Sequence, residues 1–177
     1  MEKKMKSLIV ALALITPALS QAETATYKGE FDKQTITVRF EVKLPSAVQV
    51  TPGGEYQDPE MGTLYQPTTY QSEVGTITVS YRGETSTQAN FLVGDDTASG
   101  VNFESFASFE PSHDTSGQLT EGLHLDSLME SSQMGITLNQ ARTQITGIGF
   151  PRTFTTHAIY YHHDDAVAGD DVRFVKQ

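Results

Sequence analysis

The chain reads as all-β, a sandwich or barrel with at most one short helix. Three observations carry that reading: apolar residues recur with period two, Gly, Pro, Asp and Ser clusters break the chain into short runs, and almost no segment keeps a helical period. The clearest run spans 34–44, where Ile36, Val38, Phe40, Val42 and Leu44 alternate with Thr35, Thr37, Arg39, Glu41 and Lys43. A strand places those five apolar side chains on one face, whereas a helix scatters them around its axis. Pro45 closes the run; a short strand over 47–50 follows and stops at Thr51-Pro52-Gly53-Gly54, a strong turn signal.

Further strands are expected over 73–81, 89–93, 101–109, 133–138, 143–150, 154–161 and 171–175, with Phe106 out of phase in its run. This makes about nine to eleven short strands, a number suited to a sandwich or barrel. Two stretches resist the pattern. Leu119, Leu123, Leu128 and Met129 suit one face of a short helix over 120–131, yet Leu123 and Leu125 also alternate and Gly122 disfavours the helix. Residues 52–72, rich in Pro, Gly, Gln and Tyr, read as a long loop or irregular edge.

The first 22 residues read as a cleaved signal peptide. Lys3, Lys4 and Lys6 precede an almost uncharged apolar run from Ser7 to Ser20, and Ser20-Gln21-Ala22 offers small residues for cleavage. No Cys follows to carry a lipid anchor. The remaining chain has 9 Lys+Arg against 21 Asp+Glu, a poor match for nucleic acid or anionic lipid. No other apolar stretch has the roughly 18–20 residues that cross a bilayer. With no Cys there is neither a disulfide nor a thiol nucleophile. The reading is an exported protein, neither bound to nucleic acid nor inserted in a membrane.

Chemistry is thinly written. The densest group of ligand-type residues is His157, His162, His163, Asp164 and Asp165, with Asp170 and Asp171 close behind. Alternation puts His162 and Asp164 on one face of a strand, but the ligand spacing of a calcium loop is absent, and exposed acidic side chains after a strand end explain the cluster equally. No metal and no cofactor are expected. Ser, His and Asp are plentiful but no Gly-x-Ser-x-Gly elbow occurs, so no catalytic residues are assigned and the chain reads as a non-enzyme. Tyr56, Tyr65 and Tyr70 sit in the irregular stretch, where tyrosines suit stacking on sugars or a protein interface; the bland alternative is that they cover a sandwich rim.

The segment after the cleavage site alternates too: Ala25, Tyr27, Gly29 and Phe31 against Thr24, Thr26, Lys28 and Glu30. This aromatic-Lys-Gly-Glu-apolar stretch, followed at once by the strong strand 34–44, resembles the opening of subunits of the chaperone–usher fimbriae of Gram-negative bacteria. The resemblance covers the start of the mature chain and its overall character, and the lack of Cys places it with the disulfide-free branch. It implies an incomplete immunoglobulin-like β-sandwich, completed by a strand donated from the next subunit. Residues 23–33 would be the N-terminal extension and donor strand, with Ala25, Tyr27, Gly29 and Phe31 as the donated face and Gly29 as its small position. Residues 34–177 would be the sandwich domain, with Ile36, Val38, Phe40, Val42 and Leu44 as the core face of its first strand. The implied partners are neighbouring subunits, a periplasmic chaperone and an outer-membrane usher, and the implied place is the cell surface, reached through the periplasm. The competing reading is a monomeric exported binding module for sugar or a host protein, using the loop tyrosines.

Overall fold

A computed structural model describes residues 21–98, 100–163 and 165–177. The apolar run up to Ser20, expected to belong to a signal peptide, lies outside the described residues, as does Asp164. In chain order the elements begin with β1 (Gln21–Phe31), β2 (Gln34–Leu44), β3 (Ser46–Ala47), β4 (Gln49–Thr51), β5 (Gly54–Asp58) and β6 (Gly62–Gln66). There follow β7 (Thr69–Tyr81), β8 (Glu84–Thr97), β9 (Gly100–Glu104), β10 (Ala107–His113) and β11 (Leu119–Leu125). The last are α1 (Ser131–Met134), β12 (Ile136–Leu138), β13 (Gln144–Ile148), β14 (Thr153–His162) and β15 (Asp165–Lys176). Among the described residues no helix is long and apolar enough to cross a membrane.

The fold is all-β and sandwich-like, with one short helix, as the alternation predicts. Its two layers are opposite sides of one antiparallel sheet in the order β10-β11-β14-β15-β1-β2-β7-β8-β9, with β4 added beside β7. The sheet curls until β10 lies along β8. There the Gln88 side chain does the joining: its amide Nε2 donates to the Phe106 carbonyl at 3.3 Å, and its Oε1 accepts the Ser108 N–H at 3.1 Å. Two tight hairpins start the curl. Asp32 and Lys33 (φ 49° and 59°) turn β1 into β2, and Arg82 and Gly83 (φ 51° and 84°) turn β7 into β8. Left-handed residues at both central positions match the twist of the flanking strands.

Every long strand sends one face into a single core, so Tyr27, Phe40, Ile77, Leu92, Leu123, Phe154 and Phe174 meet there, fully buried or nearly so. A small sheet in the order β12-β13-β3 lies apart from the main one and adds Ile145 and Ile148 to the same core.

Several expectations need correction. Of residues 23–33, those up to Phe31 lie in β1, an interior strand paired in this chain with its own β2 from Gln21↔Leu44 to Phe31↔Gln34, and Asp32 and Lys33 form the turn between them. The supposed irregular stretch holds a β-ribbon, β5 with β6, followed by the start of β7. Its turn is built by Asp58, whose Oδ1 accepts the N–H groups of Glu60 and Met61, with Gly62 at φ 83°. The helix considered over 120–131 is strand β11, with Leu123 and Leu125 inward, then a loop that buries Leu128 and Met129; among the described residues only the four of α1 are helical. The strand expected over 101–109 breaks at Ser105 and Phe106 into β9 and β10, and Phe106, out of phase with the buried Phe103, Ser105, Ala107 and Phe109, stands on the outward side. The strand expected at 89–93 runs the length of β8, because Thr85 and Thr87 are outward strand positions rather than loop.

Candidate functional site

The feature that the sequence singled out most specifically is β1, and the fold gives it a defined slot. It lies between β2, the strand that follows it, and β15, the last strand of the chain. Ala25, Tyr27 and Phe31 are buried, and so are Ile36, Val38, Phe40, Val42 and Leu44 opposite them. Tyr27, 0 % exposed, packs edge-on against Phe154 at 4.8 Å and Phe40 at 5.9 Å between ring centroids. Its hydroxyl donates to the Pro151 carbonyl at 2.7 Å. Burial pushes the Tyr27 phenol up to about 12, so it stays neutral.

Gly29 is the small position of that face for a definite reason. A Cβ added there would lie 2.6 Å from Val172 Cγ1 and 3.1 Å from the Phe174 ring, both on β15. The bond between the two chain ends is thin by comparison with β1–β2. Ladder partners are Tyr27↔Lys176 and Lys28↔Val175, and the Gln177 N–H donates to the Thr26 carbonyl at 2.9 Å.

The turn that ends β1 is clasped by a residue that the sequence did not point to. The Arg82 guanidinium lies 3.6 Å from Asp32 on the β1–β2 turn and 3.5 Å from Glu121 on β11. It also covers the rings of Tyr81 and Tyr160 at 5.2 and 5.1 Å. Burial, and next the Glu121 carboxylate, raise the Tyr160 phenol above its ordinary value. Three strands, β7, β11 and β14, and the β1–β2 turn are tied together by one cation, yet Arg82 in sequence is only a polar residue before a glycine. The cavity that Arg82 lines with Glu121 and Tyr160, about 40 Å³, is far smaller than a ligand pocket.

The three tyrosines do not converge. Tyr70 is buried, with its hydroxyl 3.1 Å from Asp96 Oδ1, and Asp96 in turn pairs with Arg142 at 2.8 Å. Tyr56 pairs with Leu64 and Tyr65 with Glu55, adjacent positions of one ribbon, so these two side chains leave on opposite faces. They are 48 % and 72 % exposed.

The histidine-rich run is likewise spread out. His157 Nδ1 meets Asp171 Oδ1 at 3.0 Å on the outer surface. A bulge between Tyr160 and Tyr161 then shifts the phase of β14, and the exposed rings of His162 and His163 stand 4.2 Å apart. Among the described residues no group of three or more His, Cys, Asp or Glu side chains is placed to hold a metal ion. Comparison with protein-family models, with curated proteins and with solved structures finds no match for this chain.

Proposed function

We propose that the chain is a structural subunit of a surface fibre, exported through the periplasm, that polymerises by exchanging β1 between copies and so supports cell attachment. One observation carries the reading: β1 occupies the slot between β2 and the last strand, β15. Withdrawing it would leave an open groove floored by core side chains, and the β1 of a second copy regains the same contacts in trans. The contacts are equal in number either way, so exchange needs only a hinge. That hinge is Asp32-Lys33, two consecutive non-glycine residues in the left-handed region, and a short strained hinge favours swapping. Periplasmic chaperone, usher and neighbouring subunits are the partners of this reading, which needs no cofactor and no catalysis.

A second reading, a self-complete binding module, draws on Tyr56 and Tyr65, whose exposed rings offer two stacking surfaces for sugar or a host protein. One double variant separates the two. Thr24 and Glu41 are exposed and directly opposite in the β1–β2 ladder, and the chain has no Cys, so Thr24→Cys with Glu41→Cys makes a single defined disulfide. In an exchanged fibre each bridge joins two chains, and surface protein runs as a covalent ladder on a non-reducing gel. A monomer band alone would sink the exchange reading and leave the ribbon tyrosines as the place to test.

A further inference from the structure

Ser108, His124 and Asp126 form a hydrogen-bonded row on the outer surface, and neither the fibre reading nor the tyrosine reading uses it. Ser108 on β10 and His124 on β11 are directly opposite in the ladder, and Ser108 Oγ lies 3.1 Å from His124 Nδ1. Asp126 follows two residues after His124, and its Oδ1 lies 2.9 Å from His124 Nε2. Asp126 is itself anchored, because its backbone N–H donates to the His157 carbonyl at 3.0 Å.

The chemistry of the three groups assigns the protons. An ionised carboxylate only accepts, so Nε2 carries the imidazole proton and Nδ1 presents its lone pair to the serine hydroxyl. Holding β10 against β11 needs the Ser108–His124 contact alone. The carboxylate on the far nitrogen adds a fixed tautomer, the feature that makes a histidine a base toward a serine. Beside the row, Phe106 is 59 % exposed, with its ring 5.6 Å from the His124 ring, an apolar platform for an acyl or aryl group.

We propose that Ser108 is an activated nucleophile that takes acyl groups from activated esters, with His124 as its base and Asp126 as the positioning residue. The Ser108 Oγ–C bond forms as the bond to the leaving aryl oxide breaks. His124 Nδ1 receives the serine proton and passes it to the leaving oxygen, and water, deprotonated by the same nitrogen, later releases the acid. The Ser108 N–H, a natural donor for an oxyanion, is already given to Gln88 Oε1 at 3.1 Å. Reactivity is therefore confined to donors with good leaving groups, since a missing oxyanion donor alone costs about 10²–10³ in rate.

The test treats the full chain with a fluorophosphonate probe, from which Ser108 Oγ displaces fluoride, and maps the label by peptide mass. Hydrolysis of p-nitrophenyl acetate is followed in parallel. The expected result is one labelled serine, Ser108, reacting about a hundredfold or more faster than any other. Ser108→Ala should abolish labelling. Asp126→Asn should slow it about tenfold or more at an unchanged melting temperature, and Asp126→Glu should restore part of the rate. Label scattered over several side chains, or an Asp126→Asn protein that labels at the wild-type rate, overturns the proposal. The wild-type peptide map decides the matter even if a variant folds poorly.

Discussion

The hairpin β1–β2 and the ribbon β5–β6 are both antiparallel pairs closed by short turns, and they end in opposite environments. In the first, one full face is core: Tyr27, Ile36, Val38 and Phe40 are wholly buried. In the second, every residue is exposed except the partly covered Asp58 and Leu64. The ribbon carries no alternating apolar face, because Gly54, Glu55, Tyr56 and Gln57 face Gln66, Tyr65, Leu64 and Thr63. A lone two-stranded ribbon is marginal in water, so this one depends on its ends. The Gly53 N–H donates to Thr68 Oγ1 at 3.2 Å, and a Cβ on Gly53 would lie 2.1 Å from the Gln66 carbonyl oxygen. Pairing alone makes a strand, but only a buried face gives it a fixed address in the fold.

The sharpest way to break that comparison is to remove one tyrosine from each pair. Tyr27→Ala should lower stability by roughly 3–5 kcal/mol, as for other large core truncations, while Tyr65→Ala should change it by less than about 0.5 kcal/mol. Urea unfolding midpoints measure both, and similar losses would contradict the assigned environments. A glycine pair sharpens the point at smaller scale. Gly29→Ala drives a methyl into Val172 and should cost roughly 1–3 kcal/mol, whereas Gly54→Ala meets nothing within 4 Å and should be near neutral.

A pH series probes the same face without changing its shape. The Tyr27 phenol is raised in the folded state to about 12 from the ordinary 10.0, so the fold favours its protonated form. Its contribution is complete below about pH 10 and is lost as pH rises through the folded value. Thermal melts above that point should therefore fall more steeply for the wild type than for Tyr27→Phe. The smallest effect is expected at the ribbon turn. N–H donors from Met61 and then Glu60 hold the Asp58 carboxyl below its ordinary value. Asp58→Ala should thus speed amide exchange at Glu60 and Met61 while the global melting temperature barely moves.

Much of the fold was legible because alternation survives wherever one face is core. The faces of β1 and β2 follow from sequence residue by residue, and Gly29 stands out as a small position within an apolar series. The ribbon was hidden because an exposed hairpin leaves no hydrophobic period to read, and β11 because its leucines also suit a helix. Of the candidate residues, Tyr70 was indistinguishable from Tyr56 and Tyr65 until its hydroxyl was seen against Asp96. Arg82 and the Ser108–His124–Asp126 row left no motif at all, since their partners come from strands far apart in the chain or across a turn.

What the sequence determined by itself is local: strand character, which side chains of β1 and β2 share a face, and the acidic, Cys-free chemistry of the surface. These depend on residues a few positions apart, where the two-residue period of a strand is decisive. What only the tertiary structure decided is which strands meet. The place of β1 beside β15, the bridging of β8 to β10 by Gln88 and the clasp at Arg82 arise from the curl of the sheet, which brings together residues whose separation along the chain carries no periodic signal.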